Sequence, residues 1–195
     1  MRQATLDRKT NETSISVALI LEGHGKADVK TGVGFLDHML ELFCYHGNFD
    51  LALRCQGDTQ VDDHHSVEDI GIALGLAFSQ ALGDKAGIAR YGNFLLPMDE
   101  ALVLCAVDLS GRDALGYQVS IPTEKVGAFD TQLVQEFMLA FARNAKAAIH
   151  FHQLSGVNSH HIIEAMFKGL GRCMGQAVAP DVSRAGRIPS SKGTL

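Results

Sequence analysis

Tryptophan is absent from this 195-residue chain, and tyrosine (3), proline (4) and cysteine (4) are sparse. With so little proline and 46% of residues hydrophobic, the composition excludes collagen-like, fibrous and disordered states and supplies a full core. Cys44, Cys55, Cys105 and Cys173 form no CxxC pair and lie in apolar segments, so buried thiols are expected rather than a disulfide framework or zinc knuckle. Lys and Arg never gather into a long run and the net charge is -5, which removes the electrostatic footprint of nucleic-acid binding. The longest nearly unbroken apolar stretch, Ile70 to Phe78, falls far short of the roughly 20 residues that cross a bilayer. No basic-apolar-small leader opens the chain, so a soluble, cytoplasmic protein without membrane or nucleic-acid partners is expected. What the chain has in quantity is histidine, nine in all.

The hydrophobic pattern repeats once. Ile15, Val17, Leu19 and Leu21 alternate on a strand over Thr13 to Leu21, and Gly23-His24-Gly25 turns the chain into a short strand around Asp28 to Lys30. Phe35, Leu36, Met39, Leu40, Leu42 and Phe43 then recur at helical spacing until Gly47; a strand from Phe49 to Cys55 and a helix from His65 to Leu82 follow. The second half returns the same order: strands at Ala101 to Leu109 and Tyr117 to Ile121, a helix from Thr131 to Asn144, a strand from Ala147 to Gln153, and a helix from His160 to Ala179. An offset of 98 lays Phe35, Leu36, Met39, Leu40 and Phe43 on Leu133, Val134, Phe137, Met138 and Phe141, and His38 on Glu136. An offset of 96 lays His64, His65 and Glu68 on His160, His161 and Glu164. The expected fold is α+β, one unit of strand-strand-helix-strand-helix occurring twice, with sheets packed against helices. The halves are 1–95 and 96–195 within one compact subunit; residues 1–12 and 180–195 fall outside the repeats, the latter as a loose tail.

Both HHxxE motifs open a helix. Residues three or four apart share a helix face, whereas neighbours stand about 100° apart. A glutamate at the fifth position of such a motif therefore chelates an ion with one histidine while the other points elsewhere, which suits two metal ions or an ion held between subunits. The bland reading of each doublet is a cap on the helix start. Coincidence of both doublets, and of His38 with Glu136, in a repeated register argues against it. Imidazole plus carboxylate without thiolate fits Mn, Fe, Zn, Co or Ni. His150 and His152 alternate on a strand as a solvated face, His24 sits in a glycine turn and His46 ends a helix, so none of these four requires a metal.

Arg90, Arg112, Lys168 and Lys192 each accompany short polar or glycine-containing stretches and are natural phosphate ligands, although each alone also reads as a surface charge. Lys168 stands one turn beyond Glu164 on the metal-bearing helix. Ser190-Ser191-Lys192 alone reads as a frayed terminus.

In chain order, Gly34-Phe-Leu-Asp-His-Met-Leu, Asp62-Asp-His-His-Ser-Val-Glu-Asp-Ile-Gly, Pro97-Met-Asp-Glu-Ala, Asp108-Leu-Ser-Gly-Arg, Asn158-Ser-His-His-Ile-Ile-Glu-Ala-Met-Phe-Lys and Ser190-Ser-Lys-Gly resemble the imidazoleglycerol-phosphate dehydratases of histidine biosynthesis. The likeness runs from about Arg8 to Gly193. It implies a duplicated α+β subunit, two Mn2+ per active site, and a homo-oligomer of about 24 subunits in octahedral symmetry with sites between subunits. It also implies loss of water from imidazoleglycerol phosphate to give imidazole acetol phosphate. Carried onto this chain, the metal ligands are His38, His64, His65, Glu68, Glu136, His160, His161 and Glu164. At Glu136 many relatives have histidine; the departure keeps an oxygen donor.

The same resemblance makes Glu12, His38, Arg90, Arg112, Lys168, Ser190 and Lys192 the substrate contacts, and Glu12, His65, Glu68, His161 and Glu164 the catalytic group. The dehydration must take a proton from a carbon that is not acidic and expel hydroxide, and two metals supply the electron sink and the help for the leaving group. Glu12 is the candidate for proton transfer. Asp69 and Asp99 are candidates for orienting the imidazoles, with surface or turn roles as the alternative. Two other classes share part of the signature: a di-metal phosphate-ester hydrolase, and a non-catalytic metal-binding assembly.

Overall fold

The computed structural model describes residues 1–195. Its first unit holds β1 (Gln3–Lys9), β2 (Thr13–Ile20), β3 (Ala27–Lys30), α1 (Gly34–Gly47), β4 (Asp50–Gly57) and α2 (His64–Leu82). The second holds β5 (Tyr91–Met98), β6 (Ala101–Asp108), β7 (Ala114–Gln118), a short hairpin of β8 (Lys125–Val126) and β9 (Phe129–Asp130), then α3 (Leu133–Ala145), β10 (Ala148–Ser155) and α4 (Ser159–Val178).

Each unit forms a four-stranded sheet of the same topology, β1-β2-β4-β3 and β5-β6-β10-β7, antiparallel except for the β3–β4 and β7–β10 pairs. The register is shared as well: Gln3 faces Ile20 and Tyr91 faces Asp108, an offset of 88 that carries β1–β2 onto β5–β6. In β2 the period-two alternation buries Thr13, Ile15, Val17 and Leu19 and leaves Ser14, Ser16 and Ala18 to the outer face. The helices lie between the two sheets, α1 and α2 against the first, α3 and α4 against the second, and the units meet through α2 on α3 and α1 on α4. Phe43, Phe78 and Phe141 pack edge to face at 5.5–6.2 Å between centroids, joining both units in one core.

Two glycines set the depth of this packing. A Cβ on Gly75 would lie 2.7 Å from the Phe141 carbonyl oxygen, and one on Gly171 would lie 2.4 Å from that of Phe43. Gly75 and Gly171 correspond under the offset of 96, and Phe43 and Phe141 under that of 98, so both helix crossings use one close approach.

The repeating unit carries one more strand than the sequence pattern suggests. β1 places residues 3–9 inside the first repeat, not outside it, and β5 is its counterpart. In β1 the inward positions are Ala4, Leu6 and Arg8, and Arg8 goes inward because its guanidinium meets Asp69 at 2.6 Å, which breaks the apolar alternation. In β5, Gly92 and Pro97 depress the strand signal: a Cβ on Gly92 would strike the Cys173 carbonyl, and Pro97 is tolerated because β5 is an edge strand. A division after residue 95 therefore runs through β5. The strand expected at Tyr117 to Ile121 lies earlier, at Ala114–Gln118.

The tail is tied rather than loose. Gly87 N–H donates to the Arg187 carbonyl, Asp181 N–H to that of Gly87, and Ile88 bridges Pro180. All four cysteines are free, three of them buried. No helix is long and apolar enough to cross a membrane.

Candidate active site

The first turns of α1 and α4 meet at one end of the helical layer. Asn158 caps α4 by accepting the backbone N–H groups of His160 (2.9 Å) and His161 (3.3 Å), which fixes the helix start from which both imidazoles project. One turn on, the Glu164 carboxylate meets His160 Nε2 at 3.0 Å, and His38 Nε2 reaches the same oxygen at 3.9 Å from α1. One ligand atom from each of His38, His160 and Glu164 lies within 4.8 Å of the others, a group compact enough to hold one ion. Lys168 Nζ pairs with the second Glu164 oxygen at 2.6 Å. Burial pushes the Glu164 carboxyl upward, but Lys168 and His160 outweigh it and hold the group below the ordinary carboxylate range.

Under the internal repeat, that trio corresponds to Glu136, His64 and Glu68 on α3 and α2. His64 Nε2 stands 3.9 Å from Glu68 Oε2, while Glu136, half-buried in the first turn of α3, completes no such compact group with them. Within one chain, one half of the pattern is gathered and the other half is open.

The second histidine of each doublet points to a different set of carboxylates. His65 Nδ1 sits 3.0 and 3.2 Å from the two oxygens of Asp58, and its Nε2 faces Glu12 at 3.6 Å. His161 Nδ1 contacts Glu100 at 2.7 Å, and its Nε2 faces Asp99 at 3.6 Å. Asp58 raises the His65 pKa and Glu100 raises that of His161. The His161 imidazole, followed by the N–H groups of Asn158 and Val157, holds the Glu100 carboxyl down at about 2.

These contacts correct the expected orienting residues. Asp69 touches no imidazole; it accepts from the Thr13 hydroxyl at 2.5 Å and pairs with Arg8, anchoring α2 to the strand that follows Glu12. Asp99 faces the Nε2 of His161, while Nδ1 belongs to Glu100. Asp58 and Glu100 escaped sequence reasoning, although the offset that joins β1–β2 to β5–β6 places Glu12 on Glu100.

The anion-binding candidates divide in two. Lys168 lies with the His38 group. Arg90, by contrast, lies at the far end of β5: its Nε and Nη2 donate to Asp108 at 2.7 and 3.1 Å, and its Nη1 donates to the Pro189 carbonyl at 2.8 Å, next to Ser190. Arg90 adopts φ +74° and lies over the Tyr91 ring, so its guanidinium is held in one orientation while one N–H on each terminal nitrogen is left over from these bonds. Arg112 is exposed in the turn after Ser110, near the carboxyl end, and Ser190 receives the N–H of an exposed Lys192 at 3.2 Å. The eight residues of β5 put about 25 Å between Arg90 and the turn that holds Glu100 beside His161. The structure therefore brings Arg90 together with the tail, and His38 with His160, Glu164 and Lys168, but not these two sets with each other.

Residues 31–174 match the model of the imidazoleglycerol-phosphate dehydratase family. Relatives similar over the full chain carry the same name: one from Thermosynechococcus vestitus is 53% identical over 100% of this chain and 93% of its own length. Another, from Oceanobacillus iheyensis, is 55% identical over 100% of both. The chain belongs to the imidazoleglycerol-phosphate dehydratase family. Solved dehydratase structures agree in fold: that from Staphylococcus aureus superposes with a TM-score of 0.83 at 39% identity, covering 91% of this chain and 99% of its own. That from Pyrococcus furiosus gives 0.82 at 40% identity, covering 97% and 100%. The family match spans both histidine doublets, Arg90, Arg112, Glu136 and Lys168; Glu12, Ser190 and Lys192 lie outside it and within the reach of the full-length dehydratases.

Proposed function

We propose that the chain dehydrates imidazoleglycerol phosphate to imidazole acetol phosphate, a step of histidine biosynthesis, and that it does so at divalent metal sites completed between subunits. The observation that carries the metal reading is the convergence of His38, His160 and Glu164 from two helices, with nitrogen and oxygen donors and no thiolate within 4.8 Å of one another. That donor set suits Mn2+ and other divalent transition ions, and the open trio of Glu136, His64 and Glu68, with His65 and His161, supplies donors for a second ion. When bound, such ions contribute Lewis acidity toward the imidazole and a hydroxyl of the substrate.

The protein's own groups do the rest. Glu12 is half-exposed, makes no hydrogen bond through its carboxylate, and stands 3.6 Å from His65, so it is available to move a proton at the substrate carbon. Arg90, Arg112, Ser190 and Lys192 grip the phosphate, and Lys168 adds a positive charge beside the metal-binding trio. A molecule the size of a sugar phosphate does not bridge the roughly 25 Å between Arg90 and His161 within one chain. The phosphate grip that serves one chain's histidines therefore comes from a neighbouring copy in a large homo-oligomer. The four unpaired cysteines agree with a reducing, cytoplasmic setting.

Incubation of the manganese-loaded protein with imidazoleglycerol phosphate tests the reading. An enolisable ketone product is expected. Release of inorganic phosphate would make the chain a hydrolase, and absence of turnover with full metal loading would leave a metal-binding assembly.

A further inference from the structure

The two units set corresponding carboxylates beside corresponding histidines and use them differently. Glu12 and Glu100 share a place in the β1–β2 and β5–β6 connections, and His65 and His161 share a place in the helix starts. In the first unit Asp58, from the loop after β4, occupies Nδ1 of His65, and Glu12 keeps its carboxylate unbonded.

The second unit has no residue able to play the part of Asp58. Its counterpart in the loop after β10 is Gly156, at φ +127°, where a Cβ would lie 2.9 Å from that of Ala101. Glu100 takes over instead: one oxygen meets His161 Nδ1 at 2.7 Å, and the other accepts the N–H groups of Val157 (3.2 Å) and Asn158 (2.8 Å). Ser155 adds a hydroxyl bond to the Glu100 carbonyl at 2.9 Å. Asn158 is also the residue that caps α4, so Glu100 holds both the imidazole and the loop from which it projects.

We propose that Glu100 is the positioning residue for His161, fixing Nδ1–H so that Nε2 is presented as the donor atom. Of two carboxylates with one structural origin, Glu100 is thereby committed to holding a ligand, and Glu12, relieved by Asp58, is left to move protons. An imidazole whose Nδ1–H is held by a carboxylate has a fixed tautomer and a more basic Nε2. The inference rests on the reading of His161 as a metal ligand, and the test separates the two.

Manganese binding to the full assembly, followed by electron paramagnetic resonance during metal titration, is compared for the parent, Glu100→Ala, Glu100→Gln, Asp58→Ala and His161→Ala, with circular dichroism to confirm folding. Glu100→Ala is expected to weaken one class of manganese site by about 10–100-fold and alter its spectrum, and Asp58→Ala to do the same through His65. Glu100→Gln, whose single amide oxygen can serve only one of the two donor sets, is expected to recover part of the loss and carries the test if the alanine variant does not fold. Parental affinity and spectrum in Glu100→Ala or in Glu100→Gln, with manganese lost from His161→Ala, overturn the positioning role and leave the ligand reading intact. Full manganese binding by His161→Ala overturns the ligand reading itself. At saturating metal, Glu100→Gln should retain far more turnover than Glu12→Gln; equal loss in the two would overturn the division between them.

Discussion

Glu12 and Glu164 are carboxylates in opposite circumstances. Glu164 is almost fully buried and keeps its charge because Lys168 and His160 stand against it, whereas Glu12 is half-exposed, makes no hydrogen bond through its carboxylate and faces only His65, at 3.6 Å. That contrast suits Glu164 to the proposed ligand role and Glu12 to the proposed proton transfer. Glu12→Gln is expected to keep manganese and substrate binding while lowering kcat by about 10²–10⁴-fold, read from steady-state kinetics with metal content measured on the same sample. Near-parental kcat would remove Glu12 from proton transfer. The histidine doublets were legible in the sequence because each sits at a fixed distance from a glutamate on one helix. Asp58 and Glu100 were not, because their contacts depend on how two loops fold over the helix starts, and no periodicity records that.

For the strands and helices, the buried faces of β2, β4, β6, β10 and all four helices follow directly from period-two or helical spacing. The edge strands β1 and β5 were hidden: an inward arginine, a glycine pressed against α4 and an edge proline each erase the alternation. The helix crossings make their own prediction. Gly171→Ala gains about 1 kcal/mol of helix propensity but drives a Cβ toward the Phe43 carbonyl, where overpacking costs about 1–3 kcal/mol. A net loss of stability, seen as a lower urea midpoint with unchanged m-value, is expected; a stabilised Gly171→Ala would show that the crossing has slack.

The turn before β3 gives a pH-dependent counterpart. Asp50 Oδ1 accepts the N–H groups of His24 (2.7 Å) and Lys26 (2.9 Å), and these bonds, His24 first, hold its carboxyl below the ordinary value. A carboxyl with a depressed folded-state pKa stabilises the fold above its unfolded value, near 3.9, and that contribution is lost as pH falls through the folded value. Urea midpoints of the parent and Asp50→Asn should therefore converge on acidification from about pH 6 to pH 3. A gap that stays constant over this range would remove Asp50 from the acid response.

For the whole molecule, the distance between the tail and the histidines decides the architecture of the site. Arg90 fastens Pro189 at one end of β5 and α4, and the His160–His161 pair stands at the other. If each site draws histidines from one copy and the phosphate grip from another, two individually impaired variants can repair one another. His160→Ala and Lys192→Ala, dissociated with a chelator, mixed and reassembled with Mn2+, should form assemblies more active than either parent variant. Activity no higher than the average of the two would place both groups in one subunit's site. Duplication was legible from the matched helices, but the meeting of the units through α1–α4 and α2–α3 was not, since glycines at the crossings leave no mark in hydrophobic spacing.

The pairing of Glu12 with Glu100 has a historical side. A half-length ancestor associating with its own copy would have presented one glutamate twice, bound to the same task in both places, so any change that improved one duty was imposed on the other. In a single chain that holds both units, each position can vary on its own. With an aspartate in one loop and a glycine in the other, the two corresponding glutamates now keep different company, a divergence open to a duplicated chain and closed to a symmetric dimer.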